Sequence, residues 1–289
     1  MRQGDLVVRK SYGGDVLFRV EAIRPKADQA LLKGTDYRLV ADSPIEDLTI
    51  VDDPNSMKAT QEVRIKVNES IKKIHTYRKK HTPGLEHFAR LTQPAQSSPY
   101  FEVPGKVLHL DGDGNYLKKS MELYKTMNVP AYGIHAQEAQ MADILFRVLP
   151  EVKPDIVVIT GHDGLIKHRS GTDHYSLSSY KNSQNFVNAV RVARQYEKNR
   201  DGLVVIAGAC QSHFEALMHI GSNFASSPGR ILIHALDPVY IAIKASLTSI
   251  RDSINLKEVI EGTISGIDGV GGIETLGKYR VGLPRTNTM

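Results

Sequence analysis

The sequence predicts an α/β protein, a mostly parallel sheet with helices on both faces, preceded by a small antiparallel β-barrel. Two observations predict it. Beyond residue 106, continuous Val/Ile-rich runs alternate with amphipathic stretches, the pattern of βαβ units whose strands are buried on both faces. The first fifty residues instead hold short strand-like runs separated by glycine turns.

The N-terminal strands are expected at 5–8, 16–23, 30–33, 37–40 and 48–51, with turns at Gly13-Gly14 and Gly34-Thr35-Asp36. Barrels of this size dock partners more often than they catalyse, so residues 1–52 read as a docking or regulatory domain. Residues 56–80 are polar and Lys-rich and lack Gly and Pro, which predicts a helix. Pro83-Gly84 and the prolines at 94 and 99 then break the chain, so 53–103 reads as a connecting helix and a flexible linker. The third segment, 104–289, has strands expected at 107–110, 131–134, 156–160, 204–207 and 231–236. Helices are expected between and after them at 116–128, 136–148, 181–199, 212–220 and 238–249.

Composition narrows the function. Of 289 residues, 41% are hydrophobic and 24% charged, enough for a sizeable core. The net charge of +5 is a weak basic excess that suits a solvated surface and does not demand nucleic acid. The polar start, Met1-Arg2-Gln3-Gly4-Asp5, is no secretory signal, and the apolar run at 241–245 is too short to span a bilayer, so synthesis in the cytoplasm and no membrane partner are expected. A single cysteine excludes an intrachain disulfide and a multi-cysteine zinc site.

In open α/β sheets, ligands bind beyond the carboxyl ends of the strands. Three of those ends carry reactive groups: Asp111-Gly-Asp113-Gly-Asn115, Gly161-His162-Asp163-Gly164, and Gly208-Ala209-Cys210-Gln211. The helix at 181–199 would make the second and third strands parallel neighbours, bringing His162 and Cys210 into one crevice. A thiol is a good nucleophile only as a thiolate, which a nearby imidazole and a helix N-terminus both favour. Cys210 is therefore the expected nucleophile, with its sulfur near the N-terminus of the following helix, and His162 the expected base. The backbone amides of Cys210 and of Asp163 or Gly164 are candidates for holding an oxyanion. A lone Cys or His at a strand end is usually structural; the pair, on adjacent strands and flanked by glycine, is what raises the catalytic reading.

Apolar runs ending in His with Gly close by, then in Ala-Cys, resemble the clan of cysteine peptidases that contains caspases, legumain, gingipains and clostripain. The separation, 210 − 162 = 48 residues, agrees with the roughly 50 of caspases. The chain departs from that clan at Asp163, which intervenes between His162 and Gly164. In the clan, the loop after the first strand helps to build the primary specificity pocket. The resemblance thus implies that Asp111 and Asp113 read a substrate Arg or Lys, against the alternative that they cap the next helix.

A closer resemblance runs along the whole chain. The blocks at 4–5, 9–12, 15–19, 104–113, 159–163, 207–215, 223–228, 234–240 and 271–275, including Ala-Gly-Ala-Cys-Gln-Ser-His-Phe-Glu, resemble the YabG family of sporulation-specific proteases. That resemblance implies a protease of endospore-forming bacteria that processes spore-coat or germination proteins, associated with the forming spore and needing no cofactor. Self-cleavage is expected in the basic segment that holds Arg78, Lys79, Lys80 and Arg90.

Other signals are weaker. Asp111, Asp113 and Asn115 approach a calcium loop but have Tyr116 where glycine is required, so no metal is expected. Gly266–Gly272 reads as a mobile loop rather than a phosphate cradle. His213 rivals His162 but need not face the crevice, His219 is an ordinary helix residue, and His234 reads as a satisfied core residue within a strand. Asp237 either lines the crevice as a substrate-binding group or begins the helix at Pro238. The rival readings are a flavodoxin-like nucleotide- or partner-binding protein, and a structural coat or nucleic-acid-associated protein.

Overall fold

A computed structural model describes residues 1–54, 57–81, 101–166 and 174–282. The N-terminal strands β1 (Leu6–Arg9), β2 (Phe18–Arg24), β3 (Gln29–Gly34), β4 (Val40–Pro44) and β5 (Leu48–Ile50) form one antiparallel sheet in the order β4-β3-β2-β1-β5. Alternate residues Val7, Phe18, Val20, Ala30 and Leu32 point inward and form its core. The edge strands β4 and β5 are joined by the single 3-10 turn Ile45–Asp47, so the sheet must coil to bring its edges together.

One strand differs from expectation. β4 begins at Val40, not at residue 37. Gly34 N donates to Leu39 O at 2.8 Å and closes a loop that lifts residues 35–39 out of the sheet. That loop points into the second part of the molecule.

Helix α1 (Lys58–His81) matches the expected helix and buries Ile74 against the C-terminal core. The expected linker at 82–100 lies outside the described residues. Strand β6 (Phe101–Val103) pairs antiparallel with β13 (Arg280–Gly282).

The C-terminal sheet contains β7 (Val107–Asp111), β8 (Ala131–His135), β9 (Ile156–Thr160), β10 (Val204–Ala207), β11 (Phe224–Ser226) and β12 (Val270–Gly272) in the order β12-β11-β10-β9-β7-β8. All pairings are parallel except that of β12 with β11. Helices α2 (Gly114–Thr126), α6 (Asp237–Leu247) and α7 (Leu256–Gly262) pack on one face, with α1. Helices α3 (Met141–Val152), α4 (Ser183–Tyr196) and α5 (Phe214–Ile220) pack on the other. Continuous burial of Val107–Asp111 and Ile156–Thr160 follows from that two-sided cover.

The strand bearing His162 and the strand bearing Cys210 are parallel neighbours, with Ile156 opposite Val204 and Ile159 opposite Ala207. Two expectations fail here. Residues 231–236 are not a strand: Phe224–Ser226 takes the place beside β10, and 231–236 turns toward the N-terminal sheet, where Leu232 packs against that sheet's core. Residues 266–272 are ordered as the short helix α8 (Gly266–Gly269) and edge strand β12. A side chain at Gly271 would collide with the Phe214 ring, so close packing explains that glycine better than mobility. Among the described residues, no helix is long and apolar enough to cross a membrane.

Candidate active site

The chain leaves β7 toward β8 on one side and then returns to β9 on the other. The carboxyl ends of β7 and β9 therefore flank the point where strand order reverses, the place where such sheets leave a crevice. Asp111 ends β7, His162 follows β9, and Cys210 follows β10.

Asp111 is fully buried. Its two oxygens take a bidentate pair from the Arg38 guanidinium, at 2.7 and 2.8 Å. Burial alone would raise its pKa, but Arg38 and then His109 outweigh that and hold it far below the usual carboxylate range. His109, buried inside β7, touches Tyr124 and Thr160 and backs Asp111 at 3.6 Å.

Asp113 does two jobs. Its Oδ1 caps α2, accepting from Asn115 N at 2.9 Å and Tyr116 N at 3.2 Å. Its Oδ2 meets His162 Nε2 at 2.9 Å and Lys33 Nζ at 2.6 Å. Burial pushes its pKa up, but the bonds from His162 and Lys33 bring it down to about 2. Asp113 is thus occupied by the protein itself, and of the two carboxylates only Asp111 faces an arginine.

His162 has both ring nitrogens toward oxygens: Nε2 toward Asp113, and Nδ1 toward the Arg38 carbonyl at 3.4 Å. Its amide donates to Glu138 Oε1 at 2.8 Å. Added side chains at Gly112 or Gly161 would strike that Glu138 carboxylate, so both glycines let Glu138 fix the loop that carries His162.

Asp163, the residue that departs from the clan pattern, is a staple. Its carboxylate accepts from Gly164 N (2.9 Å), Asn182 N (2.8 Å), Ser183 Oγ (2.5 Å) and Ser212 Oγ (2.9 Å). It ties the loop after β9 to the start of α4 and to the loop after Cys210, and burial raises its pKa. This corrects one expectation, since the Gly164 amide is engaged by Asp163 and is not open to an oxyanion. The amides of Cys210 and Asp163 meet no acceptor among the described residues.

Cys210 is 1% exposed. Its Sγ accepts from Ile233 N at 3.2 Å and lies 3.7 Å from Ile233 O. Burial pushes the thiol up to about 11, despite the Ile233 amide and the Arg38 charge, which favour the thiolate. Two expectations are corrected. The sulfur is not at a helix N-terminus, because α5 starts only at Phe214 with His213 as its cap, and the thiol is not activated as it stands. No direct hydrogen bond joins Cys210 to His162 among the described residues. The Arg38 carbonyl faces the His162 ring.

The remaining candidates are structural. His213 Nδ1 accepts from Ala216 N at 3.3 Å and Nε2 meets Tyr175 O at 2.9 Å, so the ring is spent on the cap and a loop. His234 is buried but lies outside any strand; its Nδ1 accepts from Leu236 N at 3.2 Å, while its Nε2 meets no partner among the described residues, so it is only half satisfied. Asp237 begins α6 and accepts from Ile264 N at 2.7 Å and Ser265 N at 3.2 Å; burial pushes it up to about 6. It clamps the 264–265 segment rather than offering an open substrate contact.

Sequence reasoning missed Arg38. Nothing local marks it, because its partner lies 73 residues away.

The family model described as YabG peptidase U57 matches residues 2–284. The sporulation-specific protease YabG of Bacillus subtilis (strain 168) is 45% identical over 284 residues, which cover 97% of each chain.

Proposed function

The chain belongs to the YabG peptidase family, and from that premise we propose that it is a cysteine endopeptidase that cleaves after arginine, and less readily after lysine. Cys210 is the nucleophile, His162 the base, and Asp113 the group that orients His162. The observation that carries this reading is the 2.9 Å Asp113–His162 bond, which holds the imidazole at the end of β9, the parallel neighbour of the strand that Cys210 follows. Asp111, already paired with one guanidinium, is the recognition group for the substrate's basic side chain.

In this mechanism the thiol proton passes to His162 Nδ1 as sulfur attacks the scissile carbonyl. The amides of Cys210 and Asp163 hold the oxyanion. His162 then gives its proton to the leaving amine as the C–N bond breaks, and a water deprotonated by His162 releases the thioester as a free carboxylate. The caspase-like clan supplies the analogy for this division of labour, and residues 104–289 would form the peptidase domain. Proteins of the spore coat or germination machinery are the proposed substrates. The protein would be made in the cytoplasm of the sporulating cell and act at the forming spore, without a cofactor. Self-cleavage around Arg78, Lys79, Lys80 and Arg90 belongs to the same proposal; residues 82–100 lie outside the described residues.

The test is to mix wild type, Cys210→Ala and His162→Ala with purified coat and germination proteins and to sequence the new termini. New termini after arginine in wild type alone support the proposal. Equal cleavage by Cys210→Ala overturns the nucleophile, and cuts mainly after acidic or apolar residues overturn the specificity.

A further inference from the structure

Residues 36–38 cross the carboxyl end of the C-terminal sheet as a bound peptide would. Tyr37 forms an isolated antiparallel bridge with His234, and Ala235 N donates to Asp36 O at 2.8 Å. Arg38 then drops its side chain into the cleft. It is 1% exposed, forks onto Asp111, and makes a third bond to Ala235 O at 3.1 Å. Its guanidinium lies 5.0 Å from the centre of the Tyr116 ring. Its carbonyl oxygen faces His162 Nδ1, the nitrogen that would have to serve as base.

We propose that Arg38 is an internal pseudosubstrate: it fills the arginine pocket and occupies His162 beside the buried Cys210, so the full-length chain cleaves only slowly until the N-terminal sheet is displaced. The inference rests on the cysteine-peptidase reading above and adds the regulation of that same site.

Three features make the plug a latch rather than a permanent wall. The loop that carries it is short and is anchored by polar contacts. Tyr116 Oη lies against both the Gly34 and Tyr37 carbonyls and shares its one proton between them, and Lys119 Nζ donates to Thr35 O at 2.8 Å. Lys33, on the strand that leads into the loop, reaches Asp113, so docking of the N-terminal sheet is read directly at the carboxylate that holds His162. Finally, an entering substrate arginine offers Asp111 the same bidentate partner that Arg38 provides, so exchange leaves no buried charge unpaired. The plug is also held without being cut. Its carbonyl oxygen turns to the His162 ring rather than to the Cys210 or Asp163 amides.

The test compares wild type, Arg38→Ala and Arg38→Lys as full-length proteins. Cys210 alkylation by iodoacetamide at neutral pH is followed by mass spectrometry, and circular dichroism and thermal melting monitor folding. A fluorogenic peptide ending in an arginyl amide reports cleavage. The expectation is alkylation at least tenfold faster in Arg38→Ala, slowed again by millimolar agmatine, whose guanidinium refills the pocket. Wild type should be insensitive to agmatine. Arg38→Lys keeps a cation against Asp111 but loses the fork, so it should fold and label at an intermediate rate. Peptide cleavage should rise in the same order. Equal alkylation in all three folded proteins overturns the plug. So does wild-type cleavage already as fast as that of Arg38→Ala, and so does a cut after Arg38 in wild type, which would make it a processing site. Faster alkylation in Arg38→Ala with no cleavage of any arginyl substrate would uphold the occlusion and overturn the peptidase reading instead.

Discussion

Replacing Asp113 by Asn exchanges one oxygen for an amino group at a carboxylate that caps α2 with one oxygen and holds His162 and Lys33 with the other. Asn caps helices about as well as Asp. Its carbonyl oxygen can therefore stay on Asn115 N and Tyr116 N, where Asp113 Oδ1 now sits at 2.9 and 3.2 Å. That places the new NH2 group against His162 Nε2 and Lys33 Nζ. Two donors then face each other at Lys33, and Nε2 must become an acceptor. The ring proton moves to Nδ1, the nitrogen that should accept the thiol proton, so the base is held in the wrong tautomer. A carboxylate-to-amide change of this kind behind a catalytic histidine costs about 10⁴ in kcat, or about 5 kcal/mol of transition-state stabilisation. Stability should fall much less, by about 1 kcal/mol, because the cap survives and the Lys33 side chain is 21% exposed, which weakens the lost ion pair. The assay is kcat on an arginyl-amide peptide in the Arg38→Ala background, where the pocket is open, alongside urea denaturation. A loss of less than tenfold with unchanged stability would refute the assignment of Asp113 as the group positioning His162. A loss that tracks unfolding would make it a cap and nothing more.

Cys210→Ala should abolish proteolysis while costing about 1 kcal/mol of stability, and His162→Ala should be comparably inactive. His213→Ala should lose about 1 kcal/mol with its helix cap and keep its activity, and the reverse ranking of the two histidines in peptide assays would show that the base has been misassigned. In the Arg38→Ala background, Asp111→Asn should lower arginyl-peptide turnover by at least a hundredfold and erase the preference over neutral side chains; an unchanged ratio in a side-chain panel would refute the pocket. Asp237 has its pKa raised to about 6 in the fold, above the unfolded value near 3.9, so its proton is bound more tightly when folded. Its contribution is fully present below pH 4 and is lost as pH rises through 6. Between pH 7 and 5 the slope of urea stability should therefore tilt toward greater stability at the lower pH, and Asp237→Asn should lose that part of the slope; an identical slope in the variant would refute it.

Much of the fold was legible because the signals are local. Two-sided burial writes continuous apolar runs at 107–110, 156–160 and 204–207, and those became β7, β9 and β10 almost residue for residue. The neighbouring placement of the His162 and Cys210 strands followed from the length of the intervening helix and the rules of βαβ connection. Where local pattern misled, a tertiary contact had overridden it. Residues 231–236 are apolar enough for a strand, but their hydrophobicity serves the N-terminal sheet through Leu232, and the shorter Phe224–Ser226 took the sheet position. Residues 37–39 look like strand and are instead drawn out of the sheet to meet Asp111 and His234.

The sequence by itself determined the candidate nucleophile and base, the crevice at the strand ends and the acidic first loop, because residue type and strand position suffice for those. Only the tertiary structure decided how the carboxylates divide their work. Asp111 and Asp113 are two residues apart and alike in sequence, yet the first sees a guanidinium from the N-terminal sheet and the second an imidazole and an ammonium. It also decided that Cys210 is buried, which pushes its thiol pKa up rather than down. The physical reason is that charge pairing and desolvation depend on what lies within a few ångströms in space. For Asp111 that partner comes from 73 residues away along the chain, a separation no local pattern encodes.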